Sequence, residues 1–541
     1  MSYMNFLSTK KLLLLLIILF IFQAGCCAQG LDEKINDAFM PIANWWDALV
    51  FTEIGLGIYS VPFVLIILMG GAIFFSFYFR FVNIREFWTA IKVVRGKYDH
   101  LESVDSRENL NVNLSEEDIV GTIKDESHHG EVNHFQALAT AVSGTVGLGN
   151  IAMVAVAIGI GGPGATFWMI IAGILGMSTK FVECTLGVKY RDIDEEGNVY
   201  GGPMYYISKG FKEMGYTQLG KVVSVIFAVF CVGASFGGGN AFQSNQAAAQ
   251  IITRFGIESS SAGTIIGCIF AVLVGIVIIG GIKRIAQVTE KVVPFMAAFY
   301  VLSTLIILGM NFSLIDDAIE QILSEAFSPR ATIVGGIVGA MIQGFRRAAF
   351  SNEAGAGSAA IAHSAVNTKF AASEGLVALL EPFIDTVLIC TMTALVIVIF
   401  NMSGAFDYGD SLNNEVLMIA TGERVGGVNL TSMAFDSSIP GFSYLLAIAV
   451  VMFAFSTAIS WSYYGLQSWK YLFGKSKAMD LTYKLIFLIF TVLGAAVTLD
   501  AVIKFSDAMI LALVFPNMIG LMFLFRKVGE EYKKYKTVIN Q

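Results

Sequence analysis

Ser143-Gly144-Thr145-Val146-Gly147-Leu148-Gly149-Asn150 lies inside one long apolar block, and Phe350-Ser351-Asn352-Glu353-Ala354-Gly355-Ala356-Gly357-Ser358 lies inside another. Both stretches carry too much glycine to be plain helix. In lipid, an interrupted helix leaves amides and carbonyls unpaired, so a break survives only where protein, water or ligand satisfies it. Freed amides at a half-helix N-terminus attract a carboxylate. Freed carbonyls suit Na⁺, a hard cation that prefers oxygen. Glycine lets a small ligand approach the backbone closely. One glycine pair is ordinarily a helix-packing device. Here, however, Ser143, Gly147 and Gly149 superpose on Ser351, Gly355 and Gly357 with one common offset.

The surrounding composition fixes the setting. Hydrophobic residues make up 55% of the 541 residues and charged residues 14%, against roughly 25% charged in a soluble domain. The charges cluster between apolar blocks of about 20 residues, the length that crosses a bilayer core. Spans are expected near 59–79, 134–158, 164–187, 222–252, 260–281, 292–312, 331–362, 375–400, 441–468, 483–499 and 507–525, about eleven in all. Residues 1–28 have the layout of a secretory signal peptide: Lys10-Lys11, an apolar run Leu12–Phe22, then small residues through Ala28. Residues 29–58 follow as an extracytoplasmic segment, 59–530 as the transporter domain, and 531–541 as a cytoplasmic tail. The charged stretch 98–133, with its His128-His129 pair, reads as a solvated insertion.

Alternate loops place Arg80, Arg85, Lys283, Arg284, Lys470, Lys475, Arg526 and Lys527 on one side, and the acidic 401–440 loop on the other. The basic side is expected to be cytoplasmic, with the C-terminus there, in the cell membrane (plasma or inner). No basic groove points to nucleic acid. Cys184, Cys231, Cys268 and Cys390 sit singly in apolar blocks and form no metal or disulfide pattern. Oligomeric state leaves no signal.

Setting 59–79 aside, the breaks fall on core spans one and six of ten, running in opposite directions. That is a five-plus-five inverted repeat, in which paired interrupted segments mark a transporter's site. Other polar residues are expected to converge there. Core span three carries Phe236-Gly237-Gly238-Gly239-Asn240 and Gln243–Gln246. Core span eight carries Ser456, Thr457, Ser460 and Trp461. Those hydroxyls would complete an oxygen cage with carbonyls of the first break, and Trp461 would cap the ligand. Glu353 would hold a cation, carry a proton or cap the next half-helix. Arg346 and Arg347 would pair with it or form an outer gate. Glu183, Glu290, Glu381 and Asp385 are read as helix-end or bundle pairs without a transport role.

Gly144–Ala152, Gly161-Gly162-Pro163-Gly164-Ala165-Thr166-Phe167-Trp168-Met169, Gly201-Gly202-Pro203-Met204-Tyr205-Tyr206 and Phe345–Gly357 resemble the alanine or glycine:cation symporter family, the sodium:alanine symporters. Ile170 departs from it, since the family usually has a second tryptophan there. The resemblance covers roughly residues 55–530. It implies an all-α membrane protein of the LeuT type, with ten core helices and one extra N-terminal helix, driving uptake of alanine or glycine with Na⁺ as coupling ion. Carried over, substrate contacts would be Gly147, Gly149, Asn150, Gln243, Phe350, Ser351, Asn352, Glu353 and Trp461. The sodium site would use carbonyls near Thr145, Val146 and Leu148 with hydroxyls of Ser456, Thr457 or Ser460.

Serine and D-alanine fit the same pattern. Proton coupling through Glu353 and His134 on the same fold is an alternative. An intramembrane enzyme is a remote one, because the Gly233-Ala234-Ser235-Phe236-Gly237 match lies inside an apolar span, not on the strand-to-helix turn that gives such a motif its meaning. A passive channel is a further reading. No Gly-x-x-x-x-Gly-Lys-[Ser/Thr] motif supplies ATP-driven pumping.

Overall fold

A computed structural model describes residues 30–57, 59–102, 130–195, 197–330 and 333–540. The expected signal peptide and the His128-His129 pair lie outside the described residues. The expected extracytoplasmic segment is folded: helix α1 (Leu31–Val50) runs into a hairpin of β1 (Glu53–Leu56) and β2 (Tyr59–Pro62). The extra apolar helix α2 (Phe63–Tyr78) follows.

Each expected span contains helix. The first core span is α3 (His134–Thr145), a π-helical turn at Gly149–Met153, and α4 (Val154–Gly161). Asn133 starts α3 with a reciprocal capping box: its side chain accepts from the Gln136 amide at 2.8 Å, and Gln136 returns the bond. Then come α5 (Gly164–Lys189), a short hairpin of β3 (Asp192–Ile193) and β4 (Val199–Tyr200), and α6 (Thr217–Phe236) and α7 (Phe242–Phe255) joined by a π turn at Gly237–Ala241. Helices α8 (Ala262–Ile278) and α9 (Gly281–Met310) complete the first half, and α10 (Ile315–Phe327) connects to the second.

The second half opens with α11 (Gly336–Asn352) and the short α12 (Ala359–His363) on either side of the break. Helix α13 (Ala371–Ala378) leads through a π-helical stretch at Phe383–Cys390 into α14 (Thr391–Asn401). The acidic loop folds as a sheet of β5 (Phe406–Leu412), β6 (Glu415–Met418) and β7 (Arg424–Gly426), then α15 (Gly427–Ser438). Helices α16 (Phe442–Phe473), α17 (Lys477–Ala496), α18 (Leu499–Ala512) and α19 (Val514–Ile539) end the chain. Helix α19 runs straight through the expected tail boundary at residue 530.

Among the described residues, seven helices are long and apolar enough to cross a membrane, and the α3–α4 pair, bent by 47°, makes an eighth. Helices α2 and α8 are apolar but shorter. In the second interrupted span α11 stops at Asn352 and α12 starts at Ala359, with Glu353, Gly355 and Gly357 all at positive φ between them. The outer surface is what a bilayer requires: Ile269 and Leu302 are 58% and 59% exposed, while α5 and the broken helices are buried at the centre.

Candidate substrate and ion site

The two breaks meet at the centre of the bundle. A Cβ built on Gly149 would lie 3.4 Å from the Ser351 hydroxyl and 3.5 Å from the Phe350 ring. The first break satisfies its backbone with side-chain oxygens. The Gly147 amide donates to Asn150 Oδ1 at 2.9 Å, and the Leu148 amide donates to Gln243 Oε1 at 3.1 Å. Gln243 is aimed by its own amide, which donates to the Gly238 carbonyl at 2.9 Å inside the π turn. Asn150 Nδ2 donates to Asp385 Oδ1 at 2.6 Å, and Ser351 donates to the same oxygen at 3.1 Å. Asp385, buried on the π-helical stretch between α13 and α14, therefore ties both breaks together. All three π-helical segments of the described core border this centre, the setting in which such bulges commonly appear.

Helix α16 closes the first break from the other side. Ser143 donates to the Ser456 carbonyl at 2.8 Å, and Thr457 donates to the Ser143 carbonyl at 3.0 Å. A Cβ on Gly147 would lie 2.3 Å from Thr457 Oγ1, so the chain passes here only as glycine. The Ser456 hydroxyl turns away, to the Phe453 carbonyl and Met296 sulfur. Ser460 Oγ is buried with no hydrogen-bond partner. Thr145 bonds back within its own helix turn.

The second break is built around charge. Glu353 stands at the end of α11 with φ of 55°, left-handed backbone that a non-glycine residue rarely adopts. Its carboxylate accepts from Trp461 Nε1 at 2.9 Å and from the Ser358 hydroxyl. Gly239 lets α16 close in: a Cβ there would fall 2.2 Å from the Trp461 ring. The Gly355 amide donates to Glu183 Oε1 at 2.8 Å, and Asn517 donates both to Glu183 and to the Gly355 carbonyl at 2.8 Å.

Of the residues expected at the site, Gly147, Gly149, Asn150, Gln243, Phe350 and Ser351 are brought together, and Glu353 joins Trp461. Asn352 does not face the first break: it donates to Thr386 of the π-helical stretch at 2.8 Å, and its oxygen accepts from the Ala354 amide at 3.0 Å. Asn240 and Asn245 bond the carbonyls of Phe487 and Val497, helix-to-helix bonds of α17. Arg346 and Arg347 do not reach Glu353. They grip Asp507 of α18 at 2.7 and 2.9 Å, and Asp47 of α1 adds a third contact to Arg346 at 3.2 Å. Burial raises the Asp47 carboxyl from its ordinary value, against the pull of Arg346. Asp385 and Glu183 lie at the breaks, although the sequence pattern gave them no such place. A carboxylate inside an apolar block was the available signal.

The sodium:alanine symporter family matches residues 48–541. The sodium/alanine symporter AgcS of Methanococcus maripaludis is 36% identical over 88% of this chain and 95% of its own length. A putative sodium/proton-dependent alanine carrier protein, YrbD, of Bacillus subtilis is 35% identical over 79% of this chain and 86% of its own length. In fold, the chain is similar to MhsT in complex with L-phenylalanine, with a TM-score of 0.50 at 14% identity, covering 74% of this chain and 100% of that one. The chain belongs to the sodium:alanine symporter family, with the LeuT-type fold. It is a multi-pass membrane transporter and not an enzyme.

Proposed function

We propose that the protein imports alanine, glycine or a similarly small neutral amino acid by symport with Na⁺ across the cell membrane, its basic face and C-terminus in the cytoplasm. The observation that carries this reading is the contact of the two breaks at Gly149 and Ser351, with Leu148 already holding an amide oxygen from Gln243. The oxygens of Asn150 and Gln243 sit on the amides of Gly147 and Leu148 where the two oxygens of a substrate carboxylate would bond. The substrate amine then faces Ser351 and the carbonyls of the second break. Na⁺ takes carbonyls of Thr145, Val146 or Leu148 together with the hydroxyls of Thr457 and Ser460. The unpartnered Ser460 oxygen, buried one helical turn beyond Thr457 on α16, fits an ion ligand.

The membrane potential supplies about 2.3 kcal/mol per charge per 100 mV, and the sodium concentration difference adds to it. The test is radiolabelled alanine uptake into proteoliposomes with and without an inward Na⁺ gradient. Gradient-dependent accumulation is expected. Uptake indifferent to Na⁺ would overturn sodium symport.

A further inference from the structure

Helix α1 lies almost wholly outside the residues that match the family, which begin at 48. Its first turns are fastened to the N-terminal ends of two core helices. Ser261, the residue that starts α8, makes no side-chain cap of its own. Asp32 of α1 supplies one: its carboxylate accepts from the Gly263 amide at 2.9 Å and from the Thr264 amide at 3.1 Å. Those amides are unpaired donors of a helix start, where a carboxylate is stabilising. Asn36 Oδ1 accepts from the amide and the hydroxyl of Thr498, the cap of α18, at 3.0 and 2.9 Å. Phe39 packs edge-on against Phe505 of α18, and Trp46 against Phe230 of α6.

The other end of α1 reaches a different partner. Asp47 contacts Arg346 of α11 at 3.2 Å, and the Arg346 guanidinium lies over the Phe51 ring at 3.9 Å. Arg346 and Arg347 also cross from α11 to Asp507 of α18. That bridge is buried, with Arg347 1% and Asp507 0% exposed, so α11 and α18 are shut against each other here. Alternating access requires one face to open to the site while the other is closed. If α11 parts from α18, the anchors of α1 on α8 and α18 stay intact. The contacts of Asp47 and Phe51 with Arg346 must break.

We propose that α1 is a strap that holds the acidic-face gate shut, with Asp32 and Asn36 as its anchor and with Asp47 and Phe51 as a releasable catch on Arg346. The catch is placed where release is cheap. The Asp47 and Arg346 side chains are 24% and 19% exposed, so water reaches both charges as they separate. A fully buried pair would resist parting far more strongly. The inference rests on the proposed function for one point, that the acidic face is the outer one.

The experiment uses the full-length protein in intact cells and a membrane-impermeant thiol reagent. Cys390, buried where Asn150 and Ser351 meet, is reached from outside when the gate opens, and its modification is followed by mass spectrometry of its peptide. Asp47→Asn combined with Phe51→Ala should raise the modification rate roughly threefold and lower the external alanine concentration for half-maximal uptake by a similar factor, because more of the protein is then competent to bind from outside. Asp47→Glu, which keeps the charge, should stay near wild type. A strap that only stabilises the fold would lower the melting temperature of the double variant and leave both readouts at wild-type values, and that result would overturn the catch. Asn44→Cys, on the exposed side of α1, should be modified in the same intact cells. Its protection until the cells are permeabilised would overturn the outward orientation and the strap together. If the wild type takes up no alanine, the proposed substrate fails and the modification of Cys390 alone decides the catch.

Discussion

The two interrupted helices share spacing and position, yet they are completed in different ways. The first, between α3 and α4, contains no ionisable residue of its own, and the Asp385 carboxyl that meets Asn150 is shared with Ser351 of the second. Its amides are met by the side-chain oxygens of Asn150 and Gln243, and its approach to α16 is limited by Gly147 against Thr457. The second, between α11 and α12, is built on carboxyl groups. Glu353 holds Trp461 and Ser358, and Glu183 holds the Gly355 amide. An uncharged break presents dipoles at close range, which suits a zwitterion and a bare cation. A charged break fixes its surroundings and needs buried partners, because an unpaired carboxylate at this depth is expensive.

This contrast is breakable by substitution. Gly147→Leu should abolish alanine uptake, since even a Cβ there meets Thr457 at 2.3 Å and Gln243 at 3.2 Å. Overpacking of this kind costs about 1–3 kcal/mol for small intrusions, and a leucine exceeds them. Full uptake by that variant would show that the first break is only structural. Glu353→Gln keeps the shape of the second break and removes its charge. It should lower the maximal uptake rate roughly tenfold, the scale of one charge-assisted hydrogen bond. An unchanged rate would mean that the second break works through its backbone alone. Thr457→Ala should raise the Na⁺ concentration for half-maximal uptake by roughly fivefold, the worth of about one neutral hydrogen bond, and leave the maximal rate near wild type. An unchanged Na⁺ dependence would move the ion away from the first break.

Much of this arrangement was legible in the sequence. The apolar blocks and the paired glycine stretches located the helices that cross the bilayer and both breaks. What one sequence does not contain is the rotation of one helix against another. Arg346 and Glu353 lie seven residues apart, about two turns of helix and roughly 10 Å along its axis, so a pairing between them was a natural expectation. Instead Asp507 arrives from α18 beside the arginines, and Trp461 arrives from α16 beside Glu353. Asp385 went unassigned for the same reason. Its apolar neighbours Phe383, Ile384, Val387 and Leu388 mark a buried stretch, but only the π-helical turn there aims its carboxylate at Asn150 and Ser351. Asn352 shows the converse: one residue beyond Ser351, it points to Thr386 and away from the first break.

The most direct test of the two-break site is a structure of the protein determined in saturating alanine and Na⁺. Ligand density is expected between Gly147–Gly149 and Ser351–Glu353, with its carboxylate on the amides of Gly147 and Leu148 and with Asn150 Oδ1 and Gln243 Oε1 displaced from them. Alanine bound elsewhere, with both amides still held by those side chains, would contradict it.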